Sequence, residues 1–243
     1  MTIARRTDTF VVLSALAACG GPPRPAPAPA PVAPAPVAPI ADPDGPLCVV
    51  LRTQAPRSVL WAQHGCPPDP APLAAERRPC RVQWGSDVMK VGYDAAGRLA
   101  EVQHLAVATS YRYDGAGQLT EIAWGNADRE TAIEVAREGG VVTYRTDISE
   151  HRATVDGGRM TRFEIDESHV CTLSRDARGV VQAVASTMFG QPDGGARFTR
   201  DAAGLIVRRD DGGRPWTYRW DRDGRLLAID GWEAPVTVEY RCE

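Results

Sequence analysis

The chain has 243 residues, 43% hydrophobic and 24% charged, proportions ordinary for a folded protein. Its 28 basic and 31 acidic residues leave a net charge of −3, which excludes a global field suited to nucleic acid. Lys90 is the lone lysine, so the arginines reflect a compositional bias and carry little weight singly as phosphate or carboxylate readers. Residues 1–19 read as a targeting segment: Arg5 and Arg6 precede an apolar run, Phe10–Ala18, too short to span a bilayer. Residues 22–46 hold 11 prolines in 25 positions, alternating with alanine and valine. Proline fixes φ and removes a donor, so residues 20–46 are expected to be a disordered, extended spacer with a reach of up to about 80 Å.

Leu16-Ala17-Ala18-Cys19 resembles the lipobox of bacterial lipoprotein precursors. The resemblance implies cleavage ahead of Cys19, diacylation of its thiol and acylation of the new amine. Membrane lipid would thus be held through acylated Cys19, with two or more acyl chains giving a stable anchor. Gly20 follows the cysteine where an aspartate would imply inner-membrane retention, so the same resemblance implies the outer membrane, facing periplasm or exterior.

Residues 47–83 are expected to form a cysteine-containing segment of short strands and loop. Leu47–Leu51 and Ser58–Trp61 read as strands around a turn at Pro56, and the prolines between Cys66 and Cys80 read as an irregular loop. With Cys19 acylated, Cys48, Cys66, Cys80, Cys171 and Cys242 remain, an odd count in an export context where disulfides persist. Cys66–Cys80 is the expected bridge, closing a loop worth about 3 kcal/mol on the chain-entropy model. Cys242 is placed to tie back the end of the chain. The irregular spacings, with no Cys-x-x-Cys, argue against a metal site.

Residues 84–243 are periodic. Tyr218-Arg219-Trp220-Asp221-Arg222-Asp223-Gly224-Arg225-Leu226 has strong copies at Val91–Leu99 and Tyr111–Leu119 and weaker ones at Ser174–Val181 and Thr199–Ile206. Two degenerate copies pass through Gly140 and Gly158. The turn glycines fall at 97, 117, 140, 158, 179, 204 and 224, with gaps of 20, 23, 18, 21, 25 and 20. Such self-similarity governs the fold reading. In each unit an aspartate (Asp94, Asp114, Asp176, Asp201, Asp221) accepts backbone hydrogen bonds at the turn. A glycine three residues on (Gly97, Gly117, Gly179, Gly204, Gly224) takes a left-handed φ. After the turn, apolar residues sit three apart: Leu99/Val102, Leu119/Ile122, Leu226/Ile229. A plain strand sends such pairs to opposite faces. Either the returning strand is bulged or both faces are partly covered.

The unit resembles the Rhs/YD-repeat family, with its Tyr-x-Tyr-Asp-x-x-Gly-Arg-Leu consensus, over about residues 84–232. Arg175 and Arg200 stand where the consensus has tyrosine. The resemblance implies β-hairpins adding to one antiparallel sheet. The expected fold is all-β, an antiparallel meander of about seven tandem hairpins curled into an open sheet or barrel-like shape. One strand's worth of chain follows the repeats, so the toxin domain of large family members is not expected.

No catalytic or metal motif occurs around His64, His104, His151 or His169. Asp166-Glu167-Ser168-His169 is the only compact polar cluster, one hairpin after Glu150-His151. The tryptophans at 61, 84, 124, 216, 220 and 232 are expected in the core. The functional expectation is a membrane-anchored envelope lipoprotein with a non-enzymatic structural or binding domain. It would need no cofactor, and its partner would be an envelope protein or glycan. A carbohydrate- or peptidoglycan-binding module would instead expose several tryptophans together. A hydrolase would bring Asp166, His169 and His151 into one pocket.

Overall fold

The computed structural model describes residues 44–54, 60–126, 129–231 and 234–242. The leader, Cys19, the spacer up to residue 43 and Trp232 lie outside them. From Arg81 onward the chain is strand after strand: β1 (Arg81–Trp84), β2 (Asp87–Tyr93), β3 (Leu99–His104), β4 (Val107–Tyr113), β5 (Leu119–Asn126), β6 (Arg129–Glu138), β7 (Val141–Arg145) and β8 (Glu150–Asp156). The series continues with β9 (Arg159–Glu164), β10 (His169–Arg175), β11 (Val181–Met188), β12 (Gln191–Arg200), β13 (Ile206–Asp210), β14 (Trp216–Trp220), β15 (Leu226–Asp230) and β16 (Val236–Glu239). Each pairs antiparallel with its successor, and β1 pairs with β16, Val82 opposite Val238, closing a barrel. The expected hairpin meander is present and its closure is complete, which removes the exposed edges of an open sheet.

In such a meander the turns alternate between two ends. All seven repeat glycines gather at one of them, with φ between 71° and 88°. This is the repeat end; the other is the far rim. In the five Asp turns the glycine N–H donates to the aspartate carbonyl. Oδ1 of the same aspartate accepts from the N–H four residues on, at 2.9–3.0 Å.

The returning strand then carries one extra residue: Ala100, Thr120, Gln182, Val207 and Leu227 are skipped in the pairing. This settles the three-apart spacing, because the bulge restores the inward direction two residues after it. Leu99 and Val102, Leu119 and Ile122, Val181 and Val184, and Leu226 and Ile229 are all buried. A bulge also interrupts the ladder, and the carbonyl just ahead of the extra residue takes a side-chain donor from the next repeat. Tyr113 Oη donates to Leu99 O at 2.7 Å, Trp220 Nε1 to Ile206 O at 2.7 Å and Tyr240 Oη to Leu226 O at 3.0 Å. Arg137 and Arg175 do the same for Leu119 O and Met160 O.

The segment ahead of β1 departs from expectation. Leu47–Leu51 is not a strand but part of α1 (Gly45–Arg52), all eight of whose residues are buried; α2 (Leu60–Gln63) replaces the second expected strand. These residues lie inside the closed wall, where no sheet edge is free to accept them. A helix satisfies its own backbone groups, and Pro46 in its first turn is compatible with that start. The expected Cys66–Cys80 bridge is also corrected: Cys48 pairs with Cys66 and Cys80 with Cys242. The plug doubles back, setting α1 beside the chain after α2. Cys80 stands at the seam, where its N–H donates to Glu239 O. Asp44, ahead of α1, receives both Arg200 guanidinium nitrogens at 2.8 and 2.7 Å, which places the plug's entry at the repeat end.

The outer wall carries charge, with Arg112 on Glu121 at 2.7 Å, Arg145 on Glu150 at 2.9 Å and Arg219 on Asp230 at 3.5 Å. An apolar interior behind a charged exterior is the reverse of a lipid-facing barrel. Gly204→Ala, which meets only its φ of +88° and open space, is expected to cost about 1–2 kcal/mol in urea unfolding. Gly97→Ala should cost more, because its Cβ would also fall 2.7 Å from Leu73 O.

Candidate functional site

Two cavities bracket the plug. At the repeat end a groove of about 780 Å³ runs between Pro67–Pro72 and the turns around Gly117, Gly140 and Gly158. Its arginines are committed, Arg98 to Asp94 at 2.6 Å and Arg137 to Asp69 and Leu119 O. Proline rings and turn backbone line the space together with Gln118 and Glu138.

The second cavity, about 300 Å³, lies at the far rim between Gln63 of the plug and the inner faces of β10–β13. Cys171 and Ser186 are direct cross-strand partners, and His169 shares their face two residues before Cys171. Ser186 Oγ lies 2.8 Å from His169 Nε2 and also hydrogen-bonds the Cys171 thiol. Burial pushes the Cys171 thiol up, so it stays protonated and is a poor nucleophile. On β12 an irregularity leaves Asp193 and Gly194 unpaired where Ala185 faces Gly195 and Thr187 faces Pro192. Gly195 is required there, since a Cβ would come 2.3 Å from Val184 O. Asp193, Gly194 and Gly195 therefore line the cavity beside Arg209 and Asp211.

Arg209 breaks the repeat. It occupies the inward position three after Ile206, where the other units place Val102, Ile122, Val184 and Ile229, and is 8% exposed. It stacks on Trp216 at 4.7 Å and faces His64. Nδ1 of His64 donates to Leu60 O at 2.8 Å, so its Nε2 accepts from Tyr218 Oη at 2.8 Å. Burial, reinforced by the Arg209 charge, lowers the His64 pKa to about 3.

The polar residues singled out in the sequence are deployed separately. Asp166 Oδ1 caps its own turn, accepting from Ser168 N and Oγ and from His169 N. His151 Nδ1 bonds Ile165 O, and His104, the cross-strand partner of buried Met89, sits 3.8 Å from Asp87 on the inner face at the far rim. Asp166 thus meets His169 only at its backbone N–H, while the His169 ring bonds Ser186 and the His151 ring bonds Ile165 O. Trp61, Trp84 and Trp216 are buried, and Trp124 and Trp220 pack half-buried on the core. None of the described tryptophans offers an exposed stacking face. Sequence reasoning missed Arg209, Cys171 and Ser186. The legible signals were an arginine at an apolar repeat position and a Pro-Asp-Gly-Gly run inside a strand.

His64 is neutral in the fold and titrates near 6.5 when unfolded. Between those values the unfolded chain binds more protons, so this contribution is complete above about pH 6.5 and is lost as pH falls toward 3. Thermal melts at about pH 5 against about pH 7.5 should show a loss on the order of 2 kcal/mol from this group. His64→Phe should flatten that dependence.

Comparisons with known proteins bear on the repeat unit. The RHS Repeat family profile matches residues 93–123, the stretch from the first Asp turn through the second returning strand. No curated protein sequence matches the chain. Among solved structures, the Tc holotoxin pore of Photorhabdus luminescens is 14% identical with a TM-score of 0.27, covering 60% of this chain and 10% of its own. A TcdB2–TccC3 complex gives the same figures. A porin-like protein from Bacteroides uniformis is 11% identical with a TM-score of 0.34, covering 66% of this chain and 97% of its own. The chain spans about a tenth of the length of the Tc proteins it matches. The hairpins around Gly97 and Gly117 have RHS-repeat character.

Proposed function

We propose that this chain is a membrane-anchored envelope lipoprotein whose plugged hairpin barrel is a non-enzymatic binding domain. The observation that carries the reading is the placement of the chain's two ends. The described chain enters at Asp44, clasped by Arg200 beside the repeat turns, and leaves at Cys242, bonded to Cys80 at the same end. A lipid on Cys19 and an extended spacer would join the domain there and leave the far rim, with its cavity, presented away from the tether. The charged outer wall supports a water-exposed domain on a stalk rather than one sunk in lipid. The protonated Cys171 thiol and the turn-bound Asp166 support binding over catalysis.

Labelling cells that express the full chain with a palmitate analogue is expected to mark the protein and place it in the membrane fraction. Cys19→Ser should abolish both while leaving the melt unchanged. A soluble, unlabelled parent chain would overturn the tether.

A further inference from the structure

We propose that the far-rim cavity binds a small zwitterionic carboxylate, an amino acid or the end of a short peptide, through Arg209. The inference rests on the binding reading above but not on the tether.

A charge removed from water needs compensating partners, and the other buried arginines have them. Arg52 donates to Pro67 O and Pro68 O at 2.5 and 3.1 Å and lies on the Trp61 ring at 4.1 Å. Arg200 is held bidentate by Asp44 and also reaches Gly204 O at 2.6 Å. Arg209 differs. Its Nη1 is 3.5 Å from His64 Nε2, whose lone pair already accepts from Tyr218, and its Nη2 is 3.9 Å from Asp211. Its Nε is buried with no partner, as are those of Arg52 and Arg200, so the difference lies in the Nη atoms. Among the described residues, this guanidinium makes no hydrogen bond to an oxygen, and Asp211 faces it only as a longer ion pair. A fork of donors with no hydrogen-bonded oxygen, beside a cavity, matches a carboxylate, whose two oxygens fit it bidentately.

The rest of the lining fits the other end of such a ligand. Asp193 and Asp211 offer carboxylates to an ammonium group, and Ser186, His169 and Gln63 supply neutral hydrogen-bonding atoms. At about 300 Å³ the space lies at the lower limit of small-molecule sites, which suits an amino acid or dipeptide. A dianion such as phosphate would meet the two aspartates unfavourably. Gly194 and Gly195 keep the floor open, and the irregular pairing of β11 with β12 makes room for it. A repeat protein that abandons its own apolar pattern at one position, and orphans the residue placed there, does so where function is expected.

The test is calorimetric titration of the full chain with L-alanine and L-alanyl-L-alanine, with acetate in parallel, together with thermal melts. Saturable binding of either zwitterion is expected, with acetate at least tenfold weaker. Arg209→Met should weaken zwitterion binding at least tenfold. It should also leave the ligand-free melt unchanged or raised, because a buried cation held by no hydrogen bond to oxygen is removed and its packing volume retained. Absence of saturable binding, acetate binding as well as the zwitterions, or a ligand-free Arg209→Met melt lowered by more than a few degrees would each overturn the assignment. The dipeptide should be recovered intact. Its cleavage would overturn the non-enzymatic reading while leaving the site, so the two failures are distinguishable.

Discussion

The fold depends on one extra residue placed just after six of the seven repeat turns. Without Ala100 or Thr120 in the returning strand, Val102 and Ile122 would face solvent, and half the apolar payload of those hairpins would leave the core. With it, both apolar residues of the arm face inward, the strand bends, and repeated bending curls the sheet until its ends meet. The same device frees a carbonyl, which an aromatic of the following unit takes at Leu99, Ile206 and Leu226 and an arginine at Leu119 and Met160. Where the donor is a tyrosine or tryptophan, its polar tip clasps the unit before while its ring packs on the core.

A closed wall encloses volume that must be filled. Here the chain fills it with its own N-terminal segment, cross-braced by Cys48–Cys66. Helix suits that position because every sheet edge is consumed by closure. Prolines suit the return path, since Pro67 and Pro68 bring no N–H to satisfy while their carbonyls receive Arg52 and Tyr144. Against these contacts Arg209 stands out, since its guanidinium makes no hydrogen bond to an oxygen.

The repeats were legible because turn chemistry is local: an aspartate and a glycine three apart state their geometry in five residues. Closure was only bounded, since strand number limits an open sheet but does not say which strands meet. The bulge left a visible trace in the Leu99/Val102 spacing, yet that trace admits two explanations until pairing is known. Cysteine pairing was not legible, because Cys80 and Cys242 are neighbours only through the seam. The helices of the plug were misread as strands because Leu47–Leu51 is short and apolar, a composition that fits either element. Arg175 and Arg200 looked like erosion of the consensus and prove to be substitutes, one clasping Met160 O and the other holding Asp44.

Every strand pairing but one joins neighbours in sequence. The exception, β1 with β16, unites the first ladder to be synthesised with the last, and the Cys80–Cys242 bond lies beside it. Consequently the ring has to wait, unzipped along one line, until β16 arrives. A chain without that strand would keep nearly all of its hairpins yet present two raw edges, an invitation to polymerise.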